Sequence, residues 1–343
     1  MKLDILLVTL VWVCFSSNSA YKASWDPEIL DGSNWMRDNL ELLGKRTLKQ
    51  ICIPGSHDAG MSEFRPGTTL AHPCNVQTQT NPIKYQLELG VRFLDVRPAI
   101  GNGGLFLTGH YSRIAGGTWQ GGNGQSIQSI VDDINAFTKA HNELIIVRLS
   151  HTLNTEVGNN SYRKFTQSEW ERLFQILDKT NHLYQNSDGN VYLPSLSLNH
   201  FTDFGKRAAV IYVIRDPKSG VDMTGRLGKG YFNQTSMNMY HKYSKTNKLS
   251  TMFGDQMQKM KEYSRSSYFM LSWTLTQGGK KAAFCRINLT KSIRELADEA
   301  NSNLRMILSE ISQLSYPNVL YVDDIKSIDV TSVAMEINSK LKF

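Results

Sequence analysis

Two histidines and an arginine, each placed where an apolar run ends, are the residues of this 343-residue chain best suited to chemistry. His57 and Asp58 stand in Gln50-Ile51-Cys52-Ile53-Pro54-Gly55-Ser56-His57-Asp58-Ala59-Gly60-Met61, where a strand expected over 50–53 breaks at Pro-Gly and delivers the pair. Arg97 ends Val91-Arg92-Phe93-Leu94-Asp95-Val96-Arg97, and His110 ends Leu105-Phe106-Leu107-Thr108-Gly109-His110. Histidine is the side chain suited to proton transfer near neutral pH, and an adjacent carboxylate can orient or charge it. Two histidines flanking an arginine match what phosphodiester cleavage requires. One takes a proton from the nucleophile, the other gives one to the leaving oxygen, and the guanidinium stabilises the phosphoryl charge.

Such residues need rigid mounts, and strand ends of a parallel sheet supply them. If the three apolar runs are neighbouring parallel strands, His57, Arg97 and His110 converge on one mouth. The rest of the chain alternates in a way that supports this. Further strands are expected over 144–149, 208–214, 268–273 and 319–322, with an eighth between Tyr231 and Tyr243. Helices are expected over 81–89, 126–141, 168–181, 291–314 and 330–341, the second carrying Ile127, Ile130, Ile134 and Phe137 on one face. Strand–helix alternation implies a parallel sheet. The glycine-rich stretch 116–124 lacks the Lys-Ser/Thr of a phosphate loop and reads as a flexible loop at the mouth. Its Trp119 would either touch a lipid surface or pack on its own loop.

PGSHDAGM, RFLDVRP and the spacing from Arg97 to His110, with ELIIVRLS and NVLYVDD further on, resemble the phosphatidylinositol-specific phospholipases C of the bacterial, metal-independent type and their secreted fungal-type relatives. The likeness runs from about Trp35 to the C-terminus. It implies an α/β fold, a TIM-type (β/α)8 barrel with room for irregularity, and a site at the carboxyl ends of its strands. It implies that His57 is the general base for a substrate hydroxyl next to the phosphate, giving a cyclic phosphodiester by internal attack. His110 would be the general acid for the leaving oxygen, Asp58 its support, and Arg97 the stabiliser of phosphorane-like charge. A carboxylate ending the last strand would orient His57, Asp323 in the nearer register and Asp324 in the alternative one. Calcium-dependent relatives carry an acidic pair where this chain has Asp95-Val96-Arg97, so neither metal nor other cofactor is expected.

Head-group contacts depart from the family pattern. Ser150 stands at a lysine position on the fourth strand, Arg215 matches an arginine on the fifth, and Tyr243 matches a tyrosine. His241 stands where an aspartate belongs. The substrate implied is a phospholipid or inositol phosphodiester, met in transient contact with a membrane surface. A metal-dependent glycerophosphodiester or sphingomyelinase D type of phosphodiesterase, and a non-catalytic secreted binding protein on the same scaffold, are the alternatives.

Composition is compatible with one large domain over 21–343. The hydrophobic fraction of 41% suffices for a core, and the net charge of +7 suits an anionic partner. No basic run interleaved with aromatics points to nucleic acid. Residues 1–20 read as a secretory signal peptide: Lys2, an apolar core over 5–15 and small residues over 17–20. The core is too short to span a bilayer, and no later stretch is long enough. In an oxidising compartment Cys52 and Cys74 are expected to bridge a short loop and leave Cys285 buried and free. Sequons at Asn159, Asn233 and Asn288 suit a secreted glycoprotein.

Overall fold

Along the apolar runs, alternate residues turn to opposite sides, and this period of two builds the protein. The computed structural model describes residues 30–114, 117–158, 160–215, 220–278, 282 and 284–343. The expected leader and Asn159 lie outside them. The strands are β1 (Ile53–Ser56), β2 (Arg65–Pro66), β3 (Phe93–Val96), β4 (Pro98–Gly101), β5 (Leu105–Arg113), β6 (Trp119–Ser126) and β7 (Leu144–Ser150). They continue with β8 (Leu153–Asn154), β9 (Ala209–Arg215), β10 (Tyr231–Asn233), β11 (Met239–Tyr240), β12 (Tyr268–Trp273) and β13 (Val319–Val322).

Eight of them form one parallel sheet in the order β10-β9-β7-β3-β1-β13-β12-β11. It curls into an irregular α/β barrel whose order ends at the two short strands β10 and β11. One strand was expected where these two occur. Ile53, Phe93, Ile146, Ile211, Met270 and Val319 share one apolar cluster. Leu94, Ile145, Val147, Val210, Leu271 and Leu320 share another, with the helices over 127–140, 167–177 and 329–340. The first cluster fills the barrel and the second packs its outer face, as alternation requires.

A second sheet, β2-β6-β5-β4-β8, caps the carboxyl end. The chain leaves β3 at Arg97 and enters β4 at once, and β8 follows β7 in the same manner. β5 is therefore antiparallel to β4 and β6, not a parallel neighbour of β1 and β3 as the sequence reading had it. Only a three-residue turn separates β4 from β5, which is far too short for a parallel crossover. The stretch expected to be a flexible loop is the strand β6 from Trp119 onward. Its glycines let it lie close to β5: a Cβ on Gly121 would overlap the His110 carbonyl oxygen and the Tyr111 ring.

Other boundaries also move. Residues 48–50 form a 3-10 turn closed by reciprocal bonds between Thr47 and Gln50, so the first strand begins at Ile53. The helix expected over 291–314 ends at Asn301, where Asn-Ser-Asn, poor helix formers, give way to a 3-10 turn over 304–309. The cysteine pairing is corrected too. Cys74 bonds Cys285, and Cys52 is free and fully buried. Cys52 precedes β1 at the amino end of the barrel, where both its backbone groups bond the Asn338 amide. Cys74 and Cys285 lie at the opposite, mouth end, in segments joined also by the bond from the Asn75 amide to the Ala282 carbonyl.

Candidate active site

The interior row of each strand continues past the core into the mouth. Phe93 is followed by Asp95 and Arg97, Ile146 by Arg148 and Ser150, and Val213 by Arg215. Val319 is followed by Tyr321 and Asp323, and Ile53 by Gly55 and His57. Two residues per step thus lead from core positions to the residues at the mouth.

His57 lies between two charged groups. Its Nδ1 is 2.6 Å from Asp323 Oδ1, and its Nε2 is 2.6 Å from Arg97 Nη2. A guanidinium only donates, so Nε2 accepts and the proton sits on Nδ1, donated to Asp323. That is the neutral tautomer a general base needs. The backbone is fixed as well: His57 N–H bonds the Val322 carbonyl, and the His57 carbonyl accepts from the Gln79 amide. Asp323, not Asp324, makes the contact. Asp324 instead accepts from Thr80 N–H and pairs with Lys326.

His110 arrives from the capping sheet because Gly109 N–H bonds the Arg97 carbonyl. Its Nδ1 is 2.8 Å from Asp58 Oδ2, which also accepts from Arg97 Nη1 at 3.1 Å. Among the described residues the imidazole's Nε2 has no hydrogen-bond partner. Asp58 is fully buried in a left-handed backbone conformation, φ 44°. His151 and Asp324, at the ends of β7 and β13, share that conformation. Non-glycine residues held there cost on the order of 1 kcal/mol or more and gather at functional sites.

Arg97 thus touches His57, Asp58 and, through Nε at 3.2 Å, Asp95. Burial works against its charge, but Asp58 and Asp95 outweigh that and raise its pKa. Asp95 accepts also from Arg148 at 2.8 and 3.1 Å, Ser150 Oγ at 3.0 Å and the Tyr321 hydroxyl at 2.5 Å. Burial opposes its ionisation, and Arg148 and Arg97 overcome it, holding the carboxyl well below its usual range. The Tyr321 ring meets His57 edge-on, centroids 5.1 Å apart.

The structure brings together His57, Asp58, Arg97, His110 and Asp323. Ser150 is fully buried on Asp95 and His151. Arg215, opposite Ser150 in register, is at the same rim, and His241 follows β11 beside Arg148 and Arg215. Tyr243 is not drawn in: its ring is 48% exposed and stands beside Lys245. Trp119 stacks on Tyr162. Asp95, Arg148, Tyr321 and His151 were not picked as site residues from the sequence, although counting by two from Arg97, Ser150 and Asp323 finds the first three. Among the described residues no group of three or more His, Cys, Asp or Glu is disposed to hold a metal ion, and no helix is long and apolar enough to cross a membrane.

No protein-family model and no curated protein matches the sequence. Solved structures do. A phosphatidylinositol-specific phospholipase C from Staphylococcus aureus superposes with a TM-score of 0.61 at 17% identity, over 91% of this chain and 98% of that one. The phosphatidylinositol-specific phospholipase C of Listeria monocytogenes gives 0.59 at 16% identity, over 92% and 100%. The chain has the bacterial phosphatidylinositol-specific phospholipase C fold. A second Staphylococcus aureus structure, concerned with modulation of membrane binding, gives 0.60 at 18%. At such identities the likeness is one of fold, and what the phospholipase C scaffold does here rests on the residues at its mouth.

Proposed function

We propose that this protein is a secreted, metal-independent phosphodiesterase that cleaves the head-group phosphodiester of a phospholipid, through a cyclic phosphodiester, in the manner of a phosphatidylinositol-specific phospholipase C. The observation that carries this reading is the chain Asp323–His57–Arg97–Asp58–His110, in which two imidazoles flank one guanidinium. A substrate hydroxyl next to the phosphate gives its proton to His57 Nε2 as its oxygen bonds phosphorus. The bond to the departing glycerol oxygen breaks as His110 Nε2 delivers a proton to it. Arg97 turns from its resting contacts toward the phosphoryl oxygens, and Asp58 supports the His110 imidazolium. Internal attack needs no activated water for the first step.

Arg97 fills the place where a cation would do the same work, and the carboxylates around it are already hydrogen-bonded to guanidinium or imidazole groups. This favours the metal-independent reading over the glycerophosphodiester and sphingomyelinase D type. Three features support secretion: the leader-like residues 1–20, a disulfide suited to an oxidising compartment, and the exposed sequon at Asn288. Asn233, half-buried in β10, is the less accessible acceptor. The test is a phospholipid panel with products identified. A cyclic phosphate from an inositol lipid or a lysophosphodiester bears the reading out. A linear product from phosphatidylcholine, or turnover that needs an added metal, overturns it.

A further inference from the structure

We propose that the head-group pocket is built for a ring carrying a second anionic group, a phosphorylated polyol in place of a neutral one. This rests on the head-group phosphodiesterase reading and names its substrate class. The mouth carboxylates are already engaged: Asp323 on His57, Asp58 on Arg97 and His110, and Asp95 on Arg97, Arg148 and Tyr321. Positive charge remains on the β7–β9–β11 side. Beyond its bonds to Asp95, Arg148 turns Nη1 to the Met239 sulfur at 3.7 Å, a weak acceptor. Arg215 ends β9, and its Nε is buried with no hydrogen-bond partner among the described residues.

Among the described residues, Asp95 is the carboxylate bonded to Arg148, and the other ionisable groups near the two cations are imidazoles. His241 holds the place that the family resemblance gives to an aspartate, and its Nδ1–H donates to the Met239 carbonyl at 3.2 Å. Burial, then the charges of Arg215 and Arg148, push its pKa down to about 4. Burial, then Arg97, takes His151 down to about 2. Both rings are therefore neutral at physiological pH. Arg215 is itself pulled down by burial and next by Arg148, with Asp95, already bonded to Arg97 and Arg148, only partly opposing this. A sugar hydroxyl cannot supply further negative charge. A ring phosphate can, since its oxygens match the guanidinium fork of Arg215 while Arg148 acts through its field.

The experiment measures binding and turnover separately. Calorimetry compares an inositol monophosphate with an inositol bisphosphate, on wild type, Arg215→Gln and Arg215→Lys. A charge-assisted contact of this kind implies at least about tenfold tighter binding of the bisphosphate by wild type. The gap should close to about twofold or less in Arg215→Gln and reopen in part in Arg215→Lys. Equal binding by wild type, or a gap unchanged in Arg215→Gln, overturns the inference. The turnover arm presents phosphatidylinositol and a phosphatidylinositol monophosphate in neutral detergent micelles. Turnover of the plain lipid together with equal binding of the soluble phosphates sinks the anionic pocket and leaves the phosphodiesterase reading standing. A binding gap with no turnover of either lipid upholds the pocket and removes the catalytic reading.

Discussion

Asp95 accepts hydrogen bonds from Arg97, Arg148, Ser150 and Tyr321 with no exposure to water, so its single charge is shared between two guanidinium groups. Asp95→Asn would strand those cations, at a cost of about 3–5 kcal/mol. The pH dependence has a definite sign. The folded pKa is depressed, so the unfolded chain takes up the proton first. The stabilisation is complete above the unfolded carboxylate value near about 4 and is lost as pH falls through the folded value. Denaturant titrations across pH should show a wild-type advantage that persists to well below about pH 4 and closes only there; a difference that vanishes already at that point contradicts the depressed carboxyl. The imidazoles are tested by turnover. His57→Ala and His110→Ala should each slow phosphodiester cleavage by at least about 100-fold with the near-ultraviolet spectrum retained. Near-normal turnover in either variant would remove the two-histidine mechanism.

At the scale of elements, His110 lies on a strand that β6 pairs along most of its length. β6 lies against β5 closely enough that a methyl group on Gly121 collides with the His110 carbonyl, whereas one on Gly254, in the helix over 249–263, meets nothing. Gly121→Ala should lower turnover by about tenfold or more through misplacement of His110. Gly254→Ala adds the same methyl group, should leave turnover unchanged and should raise stability by up to about 1 kcal/mol. Equal kinetics in the two variants would mean that the hairpin does not set the position of His110. This dependence also explains what the sequence disclosed and what it withheld. The parallel strands over 144–149, 208–214, 268–273 and 319–322 were legible because unbroken β-branched and aromatic runs mark buried strands. His57, Arg97 and Asp323 followed because each ends such a run. The antiparallel course of β5 was hidden, since its apolar residues read alike in either direction and only the short turn after β4 decides. β6 was hidden by its glycines, which serve close packing, not flexibility. Tyr243 fell outside the site because the chain after β11 keeps no period to count by.

For the molecule as a whole, the absence of metal dependence is a direct expectation: activity should survive exhaustive chelation and gain nothing from calcium, and loss with recovery on adding a divalent ion would oppose it. Thiol labelling tests the pairing. Cys52 should resist alkylation in the native protein and react after unfolding, because its side chain is fully buried; rapid native labelling would contradict the fold at the amino end of the barrel. Cys52, Cys74 and Cys285 together constrain how the chain can acquire its fold. The native bridge joins residues 211 apart, whereas Cys52 and Cys74 bound a loop roughly a tenth as long, which favours the wrong pair in an unfolded chain by about 2 kcal/mol of closure entropy. Burial of Cys52 in the apolar cluster, with its backbone bonded to the Asn338 amide of the helix over 329–340, withdraws it from that competition. Correct oxidation is therefore expected to follow docking of that helix, and a chain oxidised earlier would have its first strand and the loop after it clamped together.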